Sequence, residues 1–310
     1  MSAKQIHNFQ ELLAYAVSLP PRTVAVVNPN NKETFAAIGE AAASLNTRFI
    51  LFGNKSEISD GIGSNPSLGS GVEVCDCSDV TCALKGAIAS VLDGQSEILM
   101  KGGVDTATMM RVVLQEGSGM KTGRLLSDIF VLEYPPRPDN QFVMITDGGM
   151  TLSPDLKNKI ELIVNAVEVA HSLGNENPKV AILSATEFVL PNLQSTIDAA
   201  ALSKMNERGQ IKGCIVDGPF ALDNALSLEA AEEKGIRSAV AGRAEILVAA
   251  NIESANSLAK STTYFAGLRL AHVIVGARVP ILIPSRSDKS DAKLLSIALG
   301  SIVSEYLNRG

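Results

Sequence analysis

Short apolar runs rich in β-branched residues alternate with longer amphipathic stretches along most of this chain. The runs are TVAVVN from residue 23, RFILFG from 48, SEILMKG from 96, FVMITDGG from 142, KVAILSA from 179, IKGCIVDGP from 211, AEILVAANI from 244, HVIVGA from 272 and VPILIPS from 279. Runs apolar on both faces are the pattern of strands buried under helices. Between them, KETFAAIGEAAASL, SPDLKNKIELIVNAVEVAHSLG, TIDAAALSKMNERG and AKLLSIALGSIV repeat apolar residues at helical spacing. The alternation predicts an α/β protein with mainly parallel sheets covered on both faces.

Local signals sharpen these elements. Ser153-Pro154-Asp155 supplies an N-cap, a first-turn proline and an acid that suits the helix dipole, and Leu173-Gly174 supplies a stop. MSAKQIHNFQELLAYA reads as an amphipathic helix that includes His7, without the apolar core of a signal peptide. The Pro-rich EYPPRPDNQ, residues 133–141, interrupts the alternation and is expected to mark the crossing between two α/β domains.

Composition narrows the partners. With 310 residues and 46% hydrophobic content the chain can build one large core or two ordinary ones. A formal net charge of −6, with basic residues dispersed and aromatics at 4%, argues against nucleic acid. No apolar run approaches the roughly 18 residues of a membrane span. The cysteines are Cys75, Cys77, Cys82 and Cys214, three of them in CDCSDVTC. That spacing lacks a CxxC pair and a nearby histidine, so reduced thiols beside a helix are expected rather than zinc, and a cytoplasmic location with them.

In parallel sheets ligands bind at the carboxyl ends of the strands, which singles out Lys101, Asp147, Ser184, Asp217, Asn251 and Ser285. In MKGGVDTATMMRVVLQ a strand end, a glycine pair and a helix start bring Lys101, Thr106 and Thr108 near free amides suited to an anion. Arg111 shares a helix face with Thr108. Surface caps are the plain alternative for the same residues. Asp217 and Asp223 in IVDGPFALDNALS read either as metal ligands or as helix caps, and Asn251, Asn256 and Lys260 follow the strand AEILVAANI. ILIPSRSDKSDAK ends a buried strand in Ser285, Arg286, Asp288 and Asp291. None of His7, His171 and His272 has the context of a catalytic triad.

Taken in order, KGGVDTATMMRVVL, KTGRLLSDIFVLE, TDGGMTLSPDL, AALSKMNERGQIKGCIVDGPFALDNALS and PSRSDKSDAK resemble the phosphate acetyl/butyryltransferase family, nearest its butyryl branch, from about residue 20 to about residue 300. The resemblance implies reversible acyl transfer: acyl-CoA and inorganic phosphate give acyl phosphate and CoA. It also implies two three-layer α/β/α domains with a cleft, arranged as in isocitrate and isopropylmalate dehydrogenases. The expected domains are residues 1–137 plus 276–310, and 138–275. Homodimers or higher homo-oligomers are implied, with CoA as substrate and no further cofactor or metal. Under this reading Arg286 with Arg111 clamps phosphate, Ser285 donates to the carbonyl oxygen as it gains charge, and Asp288 or Asp291 takes the thiol proton. Lys101, Thr106, Asp217, Asn256 and Lys260 are further substrate-binding candidates. The chain departs from the family pattern at Ala250, Ala255, Ala259 and Ala292, where a proline, a glycine, a tyrosine and an aspartate would stand.

Three other readings use the same residues. A long-chain acyltransferase acting on an acidic carrier protein calls for a basic patch, a metal-dependent decarboxylating dehydrogenase for an aspartate cluster, and an inactive two-domain binding protein for loss of the site. A phosphate acetyltransferase is the nearest alternative.

Overall fold

The computed structural model describes residues 5–65, 71–138, 141–285 and 288–309. In chain order its elements are α1 (Phe9–Ser18), β1 (Arg22–Val27), α2 (Lys32–Ser44), β2 (Thr47–Gly53), α3 (Lys55–Gly63), β3 (Val72–Asp76), α4 (Val80–Leu92), β4 (Ile98–Lys101), α5 (Thr106–Val113), β5 (Ser127–Glu133) and β6 (Phe142–Thr146). There follow α6 (Leu156–Ser172), β7 (Lys179–Leu183), α7 (Gln194–Glu207), β8 (Ile215–Phe220), α8 (Leu222–Leu226), α9 (Leu228–Glu233), β9 (Ile246–Val248), α10 (Ile252–Tyr264), β10 (Leu270–Val275), β11 (Ile281–Leu282) and α11 (Ser290–Leu307). They form two compact units, Phe9–Arg124 with Ala271–Gly310, and Met1–Asn8 with Leu125–Leu270.

In the first unit the strand order is β3-β2-β1-β4-β11-β10. Every neighbouring pair is parallel except β10 with β11, where Ile274 faces Ile281. The inner strands β1 and β4 carry buried Val24 to Val27 and Ile98 to Lys101, as expected of strands covered on both faces. α11 is buried from Lys293 to Ser304 and packs against α1, α2 and β11. A helix apolar on nearly all sides is stable only in such a position.

The second unit has the order β5-β6-β9-β7-β8, with β6, β9, β7 and β8 parallel. β5 pairs antiparallel with β6, from Phe130 opposite Ile145 to Glu133 opposite Phe142. The Pro-rich segment is therefore the connection of a hairpin within one sheet, and the chain crosses between units at Arg124 and Leu125 instead. The start of the chain also departs from expectation. Ile6 N–H donates to Leu173 O (2.8 Å) and Phe142 N–H to His7 O (2.8 Å), so residues up to Asn8 join the second unit. His7 consequently precedes α1 rather than lying in it. The return to the first unit comes at Ala271, before residue 276, because β10 pairs with β11.

Asn and Asp side chains recur where strands hand over to helices. Asn31, Asn54, Asp79 and Asp105 accept from the N–H three residues on at the starts of α2, α3, α4 and α5. The cap of α6 is Asp155 rather than Ser153, in a capping box with Asn158. Asn251 and Ser254 repeat the device on α10. Asp155→Ala is expected to cost about 1 kcal/mol, read as a lower urea midpoint at unchanged slope.

Candidate functional site

In the first unit β4 lies between β1 and β11, with Lys101 beside Val27 and Met100 beside Leu282. Three carboxyl ends therefore meet: Asn28 to Asn30, Lys101 to Gly103, and Ile283 to Ser285. The first two are drawn tightly together. Gly102 N–H donates to Val27 O (2.9 Å) and Gly103 N–H to Asn28 O (2.6 Å). A Cβ on Gly102 would stand 2.5 Å from Val27 O, and one on Gly103 2.2 Å from the Asn30 side chain. Gly102 thus permits a backbone approach that no side chain could share, whereas at Gly103 the Asn30 side chain would have to shift.

Lys101 is buried at the end of β4, its Nζ donating to Gly102 O at 3.5 Å. Asp105 caps α5 by accepting from Thr108 N–H (2.8 Å), so one of the amides expected to face an anion is already occupied. Hydrogen bonds from the Thr108 side chain and N–H hold the Asp105 carboxyl below its usual range, with a smaller contribution from Arg111. Thr106 is the first residue of α5, and Arg111 lies exposed in its last turn.

After β11, Ser285 N–H donates to Asp288 Oδ2 (2.7 Å) and Asp288 N–H to Ser285 O (3.2 Å). Beneath Ser285 and Asp288 lies a residue that the apolar pattern of the sequence does not single out. Lys293 is 1% exposed, and its Nζ donates to Ser285 O at 3.1 Å and Asp288 O at 2.5 Å. Burial lowers its pKa, while the charges of Asp288 and Glu33 oppose that shift. A lysine inside the otherwise apolar run AKLLSIALGSIV was the available signal, since a cation rarely enters a core without partners. Asp291 sits exposed in the first turn of α11, its Oδ1 accepting from Ala292 N–H at 2.8 Å. Arg286 lies outside the described residues.

The remaining predicted residues belong to the second unit. Asn256 Nδ2 donates to Gly148 O (2.9 Å), tying α10 to the end of β6. Lys260 is one turn further along α10 and exposed. Asp217 lies in β8 and accepts from Gly218 N–H (2.8 Å). Three strand steps separate β8 from β6, roughly 14 Å at the usual spacing, so Asp217 is not gathered with Asn256. Asp223 is engaged by Lys234 (3.0 Å) and Asn224 N–H (2.8 Å). Among the described residues no group of His, Cys, Asp or Glu is arranged to hold a metal ion. Ala255 and Ala259 are fully buried in the unit's hydrophobic core, so these two departures are matters of packing against the sheet. Cys214 is likewise packing, its thiol pushed up to about 11 by burial.

A second polar centre follows β6. Asp147 Oδ1 accepts from Asp128, Gly149 and Met150 N–H (3.1, 3.0 and 3.1 Å), and Oδ2 from Thr151 N–H (2.8 Å). Burial raises the Asp147 pKa against these donors, and the charge of buried Asp128 adds to the rise. A Cβ on Gly149 would lie 2.5 Å from the Asp128 carboxylate, which leaves glycine alone able to stand there.

Known proteins resemble this chain over most of its length. A phosphate butyryltransferase of Clostridium beijerinckii is 41% identical over 297 residues, 96% of this chain and 97% of the relative. A phosphate acetyltransferase of Thermotoga maritima is 40% identical over 283 residues, covering 91% and 95% respectively. The crystal structure of a branched-chain phosphotransacylase from Enterococcus faecalis superposes with a TM-score of 0.79 at 30% identity, over 91% of this chain and 99% of the other. The family profile described as phosphate acetyl/butaryl transferase matches residues 77–300. Spanning β4, β11 and the turns that follow them, that match makes this chain a member of the phosphate acetyl/butyryltransferase family.

Proposed function

We propose that the protein is a phosphate acyltransferase that exchanges a short acyl group between CoA and inorganic phosphate, with butyryl as the favoured chain. The observation that carries the reading is the meeting of the β1, β4 and β11 ends in one unit of a chain 41% identical to a phosphate butyryltransferase. In the acyl-phosphate-consuming direction the CoA sulfur attacks the carbonyl carbon, the tetrahedral intermediate collapses, and phosphate leaves as the thioester forms. The thiol proton passes to a carboxylate. Asp288, half-buried and fixed beside Ser285, suits that task better than Asp291, which is exposed in a helical first turn.

Arg286 is assigned to the phosphate by a planar fork that matches two oxygens, with Arg111, Lys101 and Thr106 adding charge and donors. Ser285 is assigned to the carbonyl oxygen, where a hydrogen bond strengthens as negative charge develops. Asp217, Asn256 and Lys260 enter as candidate substrate contacts of the second unit. CoA acts as substrate, no further cofactor is invoked, and a homodimer in the cytoplasm is the expected working form. Acetyl transfer is a second reading, favoured by the 40% identity to a phosphate acetyltransferase.

The test is release of free CoA thiol by the purified protein from acetyl-, propionyl-, butyryl- and isobutyryl-CoA, with and without phosphate. Phosphate-dependent release, fastest with butyryl-CoA, is expected. A one-methylene preference is worth about 1 to 3 kcal/mol, or roughly 10- to 200-fold in kcat/KM. Fastest release from acetyl-CoA would instead establish the second reading. Turnover restricted to acyl chains on a carrier protein would replace both.

A further inference from the structure

The three cysteines of CDCSDVTC are drawn into one feature of the first unit. An open pocket of about 700 Å³ at the carboxyl edge of β2 and β3 is lined by Cys75, Cys77 and Cys82, with Phe52, Asp79 and Lys85 among the other walls. β3 is the edge strand, separated from β4 by β2 and β1. The pocket therefore lies roughly 14 Å from the glycine pair, three strand spacings away.

The local geometry gives Cys77 and Cys82 different situations. Cys77 follows β3, with its N–H donated to Gly53 O (2.9 Å), and is 6% exposed. Asp79 caps α4, and Cys82 is the residue whose N–H that cap receives (2.8 Å). The Cys82 thiol is exposed, and it lines the same pocket as the buried Cys77. Strand end, cap and first helical turn thus bring two thiols five residues apart to the mouth and the floor of one pocket.

We propose that Cys77 and Cys82 are a thiol modification site that a hydroperoxide converts to a disulfide. The exposed Cys82 sulfur attacks the peroxide oxygen, the O–O bond breaks, and Cys82 sulfenic acid and an alcohol or water are formed. The Cys77 sulfur then attacks the Cys82 sulfur, an S–S bond forms, and the sulfenic oxygen leaves as water with the Cys77 proton. Two thiols lose two electrons in all, and one hydroperoxide gains them. Burial first, then the Cys82 thiol, pushes Cys77 up to about 12. A thiol so protonated is a poor nucleophile toward oxidants in solution and reacts by being held beside its target. Cys75 lines the same pocket from within β3, and Cys214 lies in the other unit.

The experiment treats the full-length protein with hydrogen peroxide, blocks the remaining thiols and maps the products. A protease that cleaves before aspartate cuts at Asp76 and Asp79 and so parts the three cysteines onto separate peptides. Expected are loss of two of the four thiols, a linkage joining the Cys77 and Cys82 peptides, and recovery on adding dithiothreitol. Cys77→Ser is expected to stop at a sulfenic acid on Cys82 that dimedone captures, and Cys75→Ser to leave the linkage intact. An unchanged thiol count, a linkage through Cys75 or Cys214, or overoxidation of Cys82 without linkage in the wild-type protein would overturn the proposal. Mapping of the wild-type protein decides the matter even if a variant fails to fold.

Discussion

Arg286→Ala is expected to cut acyl transfer to phosphate by roughly two to four orders of magnitude while leaving the protein folded. A guanidinium that grips phosphate through two charge-assisted hydrogen bonds supplies about 1.5–3 kcal/mol for each. Losing both amounts to about 3–6 kcal/mol, or roughly 10² to 10⁴ in kcat/KM for phosphate. Arg286→Lys keeps the charge but lacks the planar fork, so it recovers only part of the loss. The loss should concentrate on phosphate, with the KM for acyl-CoA nearly unmoved. Equal effects on both substrates, or a kcat/KM for phosphate within threefold of wild type, would sink the assignment.

The second large effect is predicted for Lys293→Met, at a buried position bonded to Ser285 and Asp288. Methionine matches lysine in length and volume, so the cavity term is small and the loss is that of the two hydrogen bonds. Each carbonyl deprived of a buried partner costs about 1–3 kcal/mol, although Ser285 O keeps the Asp288 N–H. Removing a buried cation returns part of that cost. A net loss of about 2–4 kcal/mol is therefore expected in urea unfolding. Turnover should fall as well, because Lys293 holds the Ser285 and Asp288 carbonyls and these two residues are proposed to act in transfer. The pH dependence has a defined sign. Burial sets the folded pKa of Lys293 below its usual 10.5, so the folded state sheds this proton first. Stability from this group then rises as pH climbs through the folded value toward 10.5. In Lys293→Met that alkaline rise should vanish; its persistence would show that another group is responsible.

The strands that proved hard to read show where local pattern stops. β3 was missed because an edge strand is covered on one side only: its residues are half-buried or exposed, and VEVCD alternates without an apolar run. β5 carries an apolar run in SDIFVLE, but its neighbour across the Pro-rich break made it look like the end of a domain. The break is a turn between paired strands, and pairing is a long-range fact that loop composition does not contain.

What the sequence by itself determined is considerable. The nine apolar runs each contain or overlap a strand, the α/β alternation follows from short runs apolar on both faces giving way to stretches of period 3.6, and the ordered motifs sufficed to recognise the family. These properties reside in residues close together in the chain, where side-chain chemistry and spacing act directly. Tertiary structure alone decided the rest. It brought β1, β4 and β11 side by side, although residues 27, 101 and 282 are far apart in sequence. It turned Ala255 and Ala259 into core, and it buried Lys293 against two carbonyls. Burial and strand order depend on which distant segments displace water from one another, so they are properties of the packed chain and of no single stretch.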